Sequence, residues 1–260
     1  MSDKTHAAPQ RHGMYRLAGA SSYLLALTLV AIGITYLFIP EGMKVVGTGD
    51  PAAYYQAMID HPGPIFTLEW ETVPLGLLGV AVVLGLTRWA RVDPTEGWLT
   101  YTGLLACFGF LLKALDSLRG TALHQLRADM WLAGDTSTRE AIGATRLTLD
   151  YLGWFAFGAV GLWAISISVA VWRQGRVPWW FSVAGCAFGG GFILLMVGEI
   201  LVVHWLLDAS VAIAAPAALV WFTSVGRLLL GEARHPEPAD ASAAADQLAA
   251  PLGSGTVASA

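Results

Sequence analysis

The chain has 260 residues, 55% of them hydrophobic and only 13% charged, with a mean hydropathy of +0.57. Soluble domains carry about 25% charged residues, so this composition excludes a water-soluble monomer; apolar blocks of about 20 residues indicate membrane spans instead. The net charge of −4 and pI of 5.8 leave no basic surface suited to nucleic acid.

The expected fold class is all-α, a polytopic membrane bundle of six transmembrane helices with a protruding external helical hairpin. The spans are read at about 15–39, 69–88, 98–119, 147–172, 179–206 and 209–230. Residues 1–14 form a cytoplasmic N-terminal tail, 15–231 the membrane domain, and 232–260 a disordered cytoplasmic tail rich in Ala, Pro and Ser. The apolar part of the first block, Leu17 to Ile39, is too long for a cleaved signal peptide and ends without a small-residue cleavage pattern. Cys107 and Cys186 each lie inside an apolar block and read as small packing residues, with no disulfide framework.

After the first span, Asp50-Pro51 is an N-cap and first-turn pair that opens a short helix over about 50–60. Tyr54, Tyr55, Met58 and Ile59 would give this helix an apolar side for the membrane interface. The third span continues past its apolar run through SLRGTALHQLRADMWLAGD, and Ser137 with Glu140 forms a capping-box pattern for the next helix. Helices three and four, each of about 35 residues, would then be about 50 Å long. That exceeds the bilayer core, so a hairpin over about 119–146 should stand out on the external face. Gly185 and Gly189 form a GxxxG suited to close packing inside the bundle, and Pro216 should bend the sixth span.

Charge sets the orientation. With the N-terminus inside, Lys4, Arg11, Arg16, Arg88, Arg91, Arg173, Arg176, Arg227 and Arg234 fall on the cytoplasmic side, and acidic residues concentrate outside. The protein is expected in the cell membrane, multi-pass, with both termini cytoplasmic.

Ionisable residues gather at the outer boundary of the spans. Glu69 and Glu71 begin span two in TLEWET, Lys113, Asp116 and Arg119 end span three, and Asp150 with Arg146 opens span four. The segment GEILVVHWLLD places Glu199, His204 and Asp208 at the end of span five. His204 and Asp208, four residues apart, share a face that Glu199 does not. Lys113, Asp116 and Glu199 are the costliest of these to bury.

Three functions follow as expectations. An outward-facing polar vestibule can bind or transport a small polar or cationic ligand, with Lys113, Asp116, Arg119, Asp150 and Glu199 as ligand or proton-relay candidates. An intramembrane enzyme acting on a lipid or isoprenoid at the outer leaflet would use Glu69 or Glu71 with Asp116 as acid and base. Its metal variant would hold zinc with His61, His124, His204 and Asp208, although no HExxH motif is present. A structural or sensory protein would use the hairpin for docking. The only partners expected are the lipid bilayer and such a ligand or lipid.

Two stretches carry a family resemblance. YRLAGASSYLLALTLVAIG, residues 15–33, resembles the opening of bacterial DUF4386 membrane proteins. FGAVGLWAISISVAVWRQGRVPWWFSVAGCAFGG, residues 157–190, resembles that family's span, basic loop, Pro-Trp turn and following span. The resemblance implies a six-span-type bacterial membrane protein of unknown function, with no known catalytic residues to carry over.

Overall fold

The computed structural model describes residues 7–40, 43, 51–90, 97–149, 151–201 and 203–234. They form eight helices: α1 (Ala7–Leu37), α2 (Pro51–Asp60), α3 (Pro62–Trp89), α4 (Gly97–Ala133), α5 (Thr136–Leu149), α6 (Tyr151–Arg173), α7 (Trp179–Ile200) and α8 (His204–Arg234). Six of them, all but α2 and α5, contain segments long and apolar enough to cross a membrane. The protein is a multi-pass helical membrane protein. Both ends of the chain hold more helix than expected, since α1 begins at Ala7 and α8 carries Glu232 to Arg234. Asp50 and residues 235–260 lie outside the described residues.

The spanning helices pack as a closed ring in chain order, α1–α3–α4–α6–α7–α8 and back to α1. Lipid removes any hydrophobic drive for helices to associate, so seams depend on small residues that let backbones approach. Each seam has one: Gly85 meets Ala18, Gly79 meets Phe110, Gly109 meets Ala156, Gly189 meets Gly161, Gly191 meets Ala214, and Gly226 meets Tyr23. The GxxxG of α7 is therefore internal, as the sequence indicated. Within the ring, away from the hairpin, Trp163, Phe181, Phe188, Trp221 and Phe222 are buried to within 2% exposure. Trp221 contacts the other four, with ring centroids 5.0–6.1 Å away. The Trp163 indole donates across the ring to Thr87 at 3.4 Å, bracing α6 against α3.

The turn from α6 to α7 has a local cause. Gly175 takes the left-handed conformation (φ 68°). It donates to Trp172 O at 2.8 Å, and Arg176 donates to Val171 O at 3.1 Å, the paired bonds of a Schellman cap. Arg176 then stacks 3.8 Å from the Trp89 ring, tying this turn to the end of α3.

At the other end α4 runs for 37 residues, about 55 Å, and so stands well clear of a 30 Å core. Its return limb comprises α5 and α6, with Asp150 between them outside the described residues. The cap of α5 is Asp135 rather than Ser137, because a carboxylate outcompetes a hydroxyl for the first free amides. Its Oδ1 accepts from the Thr138 amide at 2.9 Å and from the Ser137 and Thr138 hydroxyls at 3.0 and 2.7 Å. Arg139 reaches back to cap α4, donating to Trp131 O at 2.9 Å.

These bonds, the Thr138 hydroxyl first, hold the Asp135 carboxyl below the usual carboxylate range. A depressed folded pKa stabilises above the unfolded pKa and is lost as pH falls through the folded value. Asp135→Ala should therefore speed amide hydrogen exchange in the hairpin at neutral pH. That difference from wild type should vanish at acid pH; a pH-independent difference would show that the cap does not act through its charge.

Helix α2 differs from expectation. Its apolar side faces the hairpin rather than the membrane interface, with Tyr55 and Met58 almost fully buried in a cluster with Ile39, Met43, Ala128 and Ile142. Tyr55 stacks on Trp131 at 4.9 Å. Trp131 and Ala128 of α4 offer a drier contact than the headgroup region does.

Candidate functional site at the hairpin end

Two aromatic belts mark the bilayer boundaries. Trp98, Trp172 and Trp179 are exposed at the end away from the hairpin, and Phe66, Trp70 and Trp205 at the hairpin end. Between Arg88 and Glu69 on α3 there are about 28 Å, close to the hydrocarbon thickness. The expected stratum of charge is thus present at one boundary. Its members, however, belong to three separate arrangements.

In the first, Glu69 of α3 meets His124 of α4, with Oε1 3.2 Å from Nε2. The other ring nitrogen lies 3.5 Å from the Tyr54 hydroxyl of α2. One tautomer satisfies both contacts, Nε2–H donating to the carboxylate and Tyr54 O–H donating to Nδ1. A side chain at Gly120 would strike the Glu69 carboxyl and His124 Nε2, each at 2.9 Å, so its absence makes room for the pair. Behind Glu69, Thr72 donates to its backbone carbonyl at 2.9 Å and hydrogen-bonds the Ser117 hydroxyl. An open pocket of about 210 Å³ lies over the pair, lined by Met58, Pro62, Ile65, Phe66, Glu69, Gly120, Thr121, His124 and Gln125.

In the second, Asp116 sits between two cations on its own helix, 2.8 Å from Arg119 and 3.6 Å from Lys113. The backbone of α6 closes over it at Gly153, where a side chain would collide with Asp116. The Lys113 ammonium also lies 5.9 Å from the Phe157 ring centroid. Lys113 lies within Coulombic range of Glu69.

In the third, Glu71 turns toward α1 and accepts from Thr35 at 3.0 Å. Its other oxygen is buried without a hydrogen-bond partner among the described residues. The three carboxylates proposed as acid and base therefore face three different neighbours: α4 for Glu69, α1 for Glu71, and α6 for Asp116.

The segment GEILVVHWLLD is divided. Helix α7 ends at Ile200, with Glu199 half-buried in its last turn, and His204 opens α8. The amide of Val203 bonds Gly198 O at 2.8 Å, and Leu207 packs over Gly198 where a side chain would stand 2.9 Å away. That contact folds α8 back and ends the fifth helix earlier than hydropathy suggests. Asp208 is exposed on α8, His61 is exposed ahead of α3, and the His204 side chain lies outside the described residues, as do Asp150 and the Arg146 side chain. Among the described residues no three His, Cys, Asp or Glu side chains gather as metal ligands would.

Tyr54, Gly120, Thr121 and Gln125 were not singled out from sequence as site residues. One signal was legible: Gly120 precedes His124 by four residues, so both lie on one face of α4.

The DUF4386 family, described as a domain of unknown function, matches the chain over residues 18–231. No curated protein and no solved structure matches it.

Proposed function

The chain belongs to the DUF4386 family; since that family is defined without an activity, we propose one from the site itself, the binding of a small cationic ligand in the Glu69–His124 pocket. The observation that carries this reading is the Glu69 carboxylate in the wall of a pocket whose other sides are mostly apolar. A charge beside low-dielectric walls attracts a counter-ion more strongly than one in open water. His124, in contact with both Tyr54 and Glu69, fixes the orientation of the carboxylate. Lys113, a cation within Coulombic range of Glu69, is engaged directly by Asp116.

The hairpin end faces outward in this reading, in the cell membrane. Arg88, Arg173, Arg176, Arg227 and Arg234 lie toward the opposite end, as expected of a cytoplasmic face. Binding is preferred to transport because large aromatic side chains fill the ring beyond the pocket. A second reading, acid–base chemistry on a membrane-borne substrate, takes its support from the Tyr54–His124–Glu69 chain.

The test uses the full chain in lipid nanodiscs. n-Butylammonium should raise the unfolding midpoint of wild type, and Glu69→Gln should weaken that response about 10-fold, as loss of a charge-assisted contact does. Butanol should have no effect on either protein. An equal response in Glu69→Gln would remove the pocket from consideration.

A further inference from the structure

The walls and level of the Glu69 pocket say more about what enters it. Resting on the binding reading above, we infer that the ligand is a single-chain alkyl amine that enters sideways from the bilayer, with its ammonium on Glu69 and its tail among the lipid acyl chains.

Four observations lead there. The pocket lies where α3 leaves the hydrocarbon, the level at which an amphiphile's charged head rests. Its lining is divided, with Met58, Pro62, Ile65 and Phe66 apolar and Glu69 the one acidic member. Helix α2 covers the side away from the membrane: Met58 lines the pocket at 1% exposure, and Tyr54 reaches His124. The membrane side carries instead an aromatic edge, Phe66 and Trp70, 51% and 50% exposed and 6.3 Å apart. From that edge inward both helices present apolar surface, Leu77 on α3 and Leu111, Leu115 and Leu118 on α4. From water the approach runs past α2 and the polar Thr121 and Gln125, whereas from the outer leaflet it runs along the apolar Phe66 edge. A hydrophilic cation would satisfy Glu69 and leave the apolar walls without a partner; an alkylammonium matches both. An anionic lipid would bring an uncompensated phosphate against Glu69, which like charges oppose.

The probe is n-decylammonium carrying a diazirine near the end of its chain, incorporated into nanodiscs at fixed mole fraction with the full-length protein. Photolysis should place cross-links on the face carrying Phe66, Trp70, Leu77, Leu115 and Leu118. Excess unlabelled decylammonium should compete, decanol should not, and Glu69→Gln should lower the yield on that face at least 5-fold. Cross-links spread evenly over the spanning helices, or unchanged in Glu69→Gln, would overturn the inference. If butylammonium still stabilises wild type through Glu69 while the probe fails to label this face, the ligand comes from water and the binding reading survives alone. If neither probe responds to Glu69→Gln, the binding reading itself has failed.

Discussion

Gly189→Leu should destabilise the protein by about 3 kcal/mol, whereas Gly190→Leu, one residue along, should leave stability within about 0.5 kcal/mol of wild type. The contrast follows from the faces the two glycines present. A side chain at Gly189 would run into the Gly161 carbonyl and lie 2.8 Å from Ile165, and one at Gly161 would stand 3.2 Å from Phe192. The obstacle at Gly189 is backbone, which cannot rotate away, so α6 and α7 must separate along their whole seam. Nothing lies within 4 Å of a side chain built at Gly190. There a leucine meets lipid and gains helix propensity over glycine. The check is the unfolding midpoint of both variants in mixed micelles. Equal losses would mean that the α6–α7 seam does not hold the ring together.

The same glycines explain what the sequence could and could not reveal. Apolar runs of membrane length located all six spans, because length and hydropathy are properties of one helix at a time. The reach of α4 beyond the bilayer was legible for the same reason: its good helix formers continue to Ala133 without a break. Which face of a helix meets which neighbour is a property of pairs. Glu69 and Glu71 look like one acidic motif in TLEWET, yet two residues of helix turn them about 200° apart. One then meets His124 on α4 and the other Thr35 on α1. Asp116 was read as a partner for either, but Gly109 and Gly153 bring its face against α6. The end of α7 was missed because an apolar run does not record where a chain turns; Gly198, which admits Leu207, is the only local mark of it. Tyr54 is not legible as a site residue because its helix reads as lying on the bilayer surface, whereas burial of Tyr55 and Met58 against the hairpin turns it toward His124.

Asp116→Asn should cost about 2 kcal/mol, and adding Lys113→Met should recover about half of that loss rather than deepen it. Asp116 is the shared counter-ion of Lys113 and Arg119, and its side chain keeps only 20% of its exposure. Lys113 stands about 22 Å along α4 from the Trp98 belt, so its backbone lies about 8 Å short of the hairpin-side boundary of the hydrocarbon. What then remains to it, the Phe157 ring at 5.9 Å and Glu69 at longer range, is weaker than a direct ion pair. Neutralising Asp116 therefore strands a cation inside the membrane. Arg119 is closer to the boundary, and its longer side chain can reach the headgroups. Lys113→Met alone should cost little, because Asp116 keeps Arg119 at 2.8 Å and methionine fills the space of the lysine stem. The cycle thus has a sign as well as a size: the double variant should be more stable than Asp116→Asn by about 1 kcal/mol. Strictly additive losses would mean that Lys113 is not paired with Asp116. The ammonium would then belong to Glu69, and the pocket's carboxylate would not be available to an incoming cation.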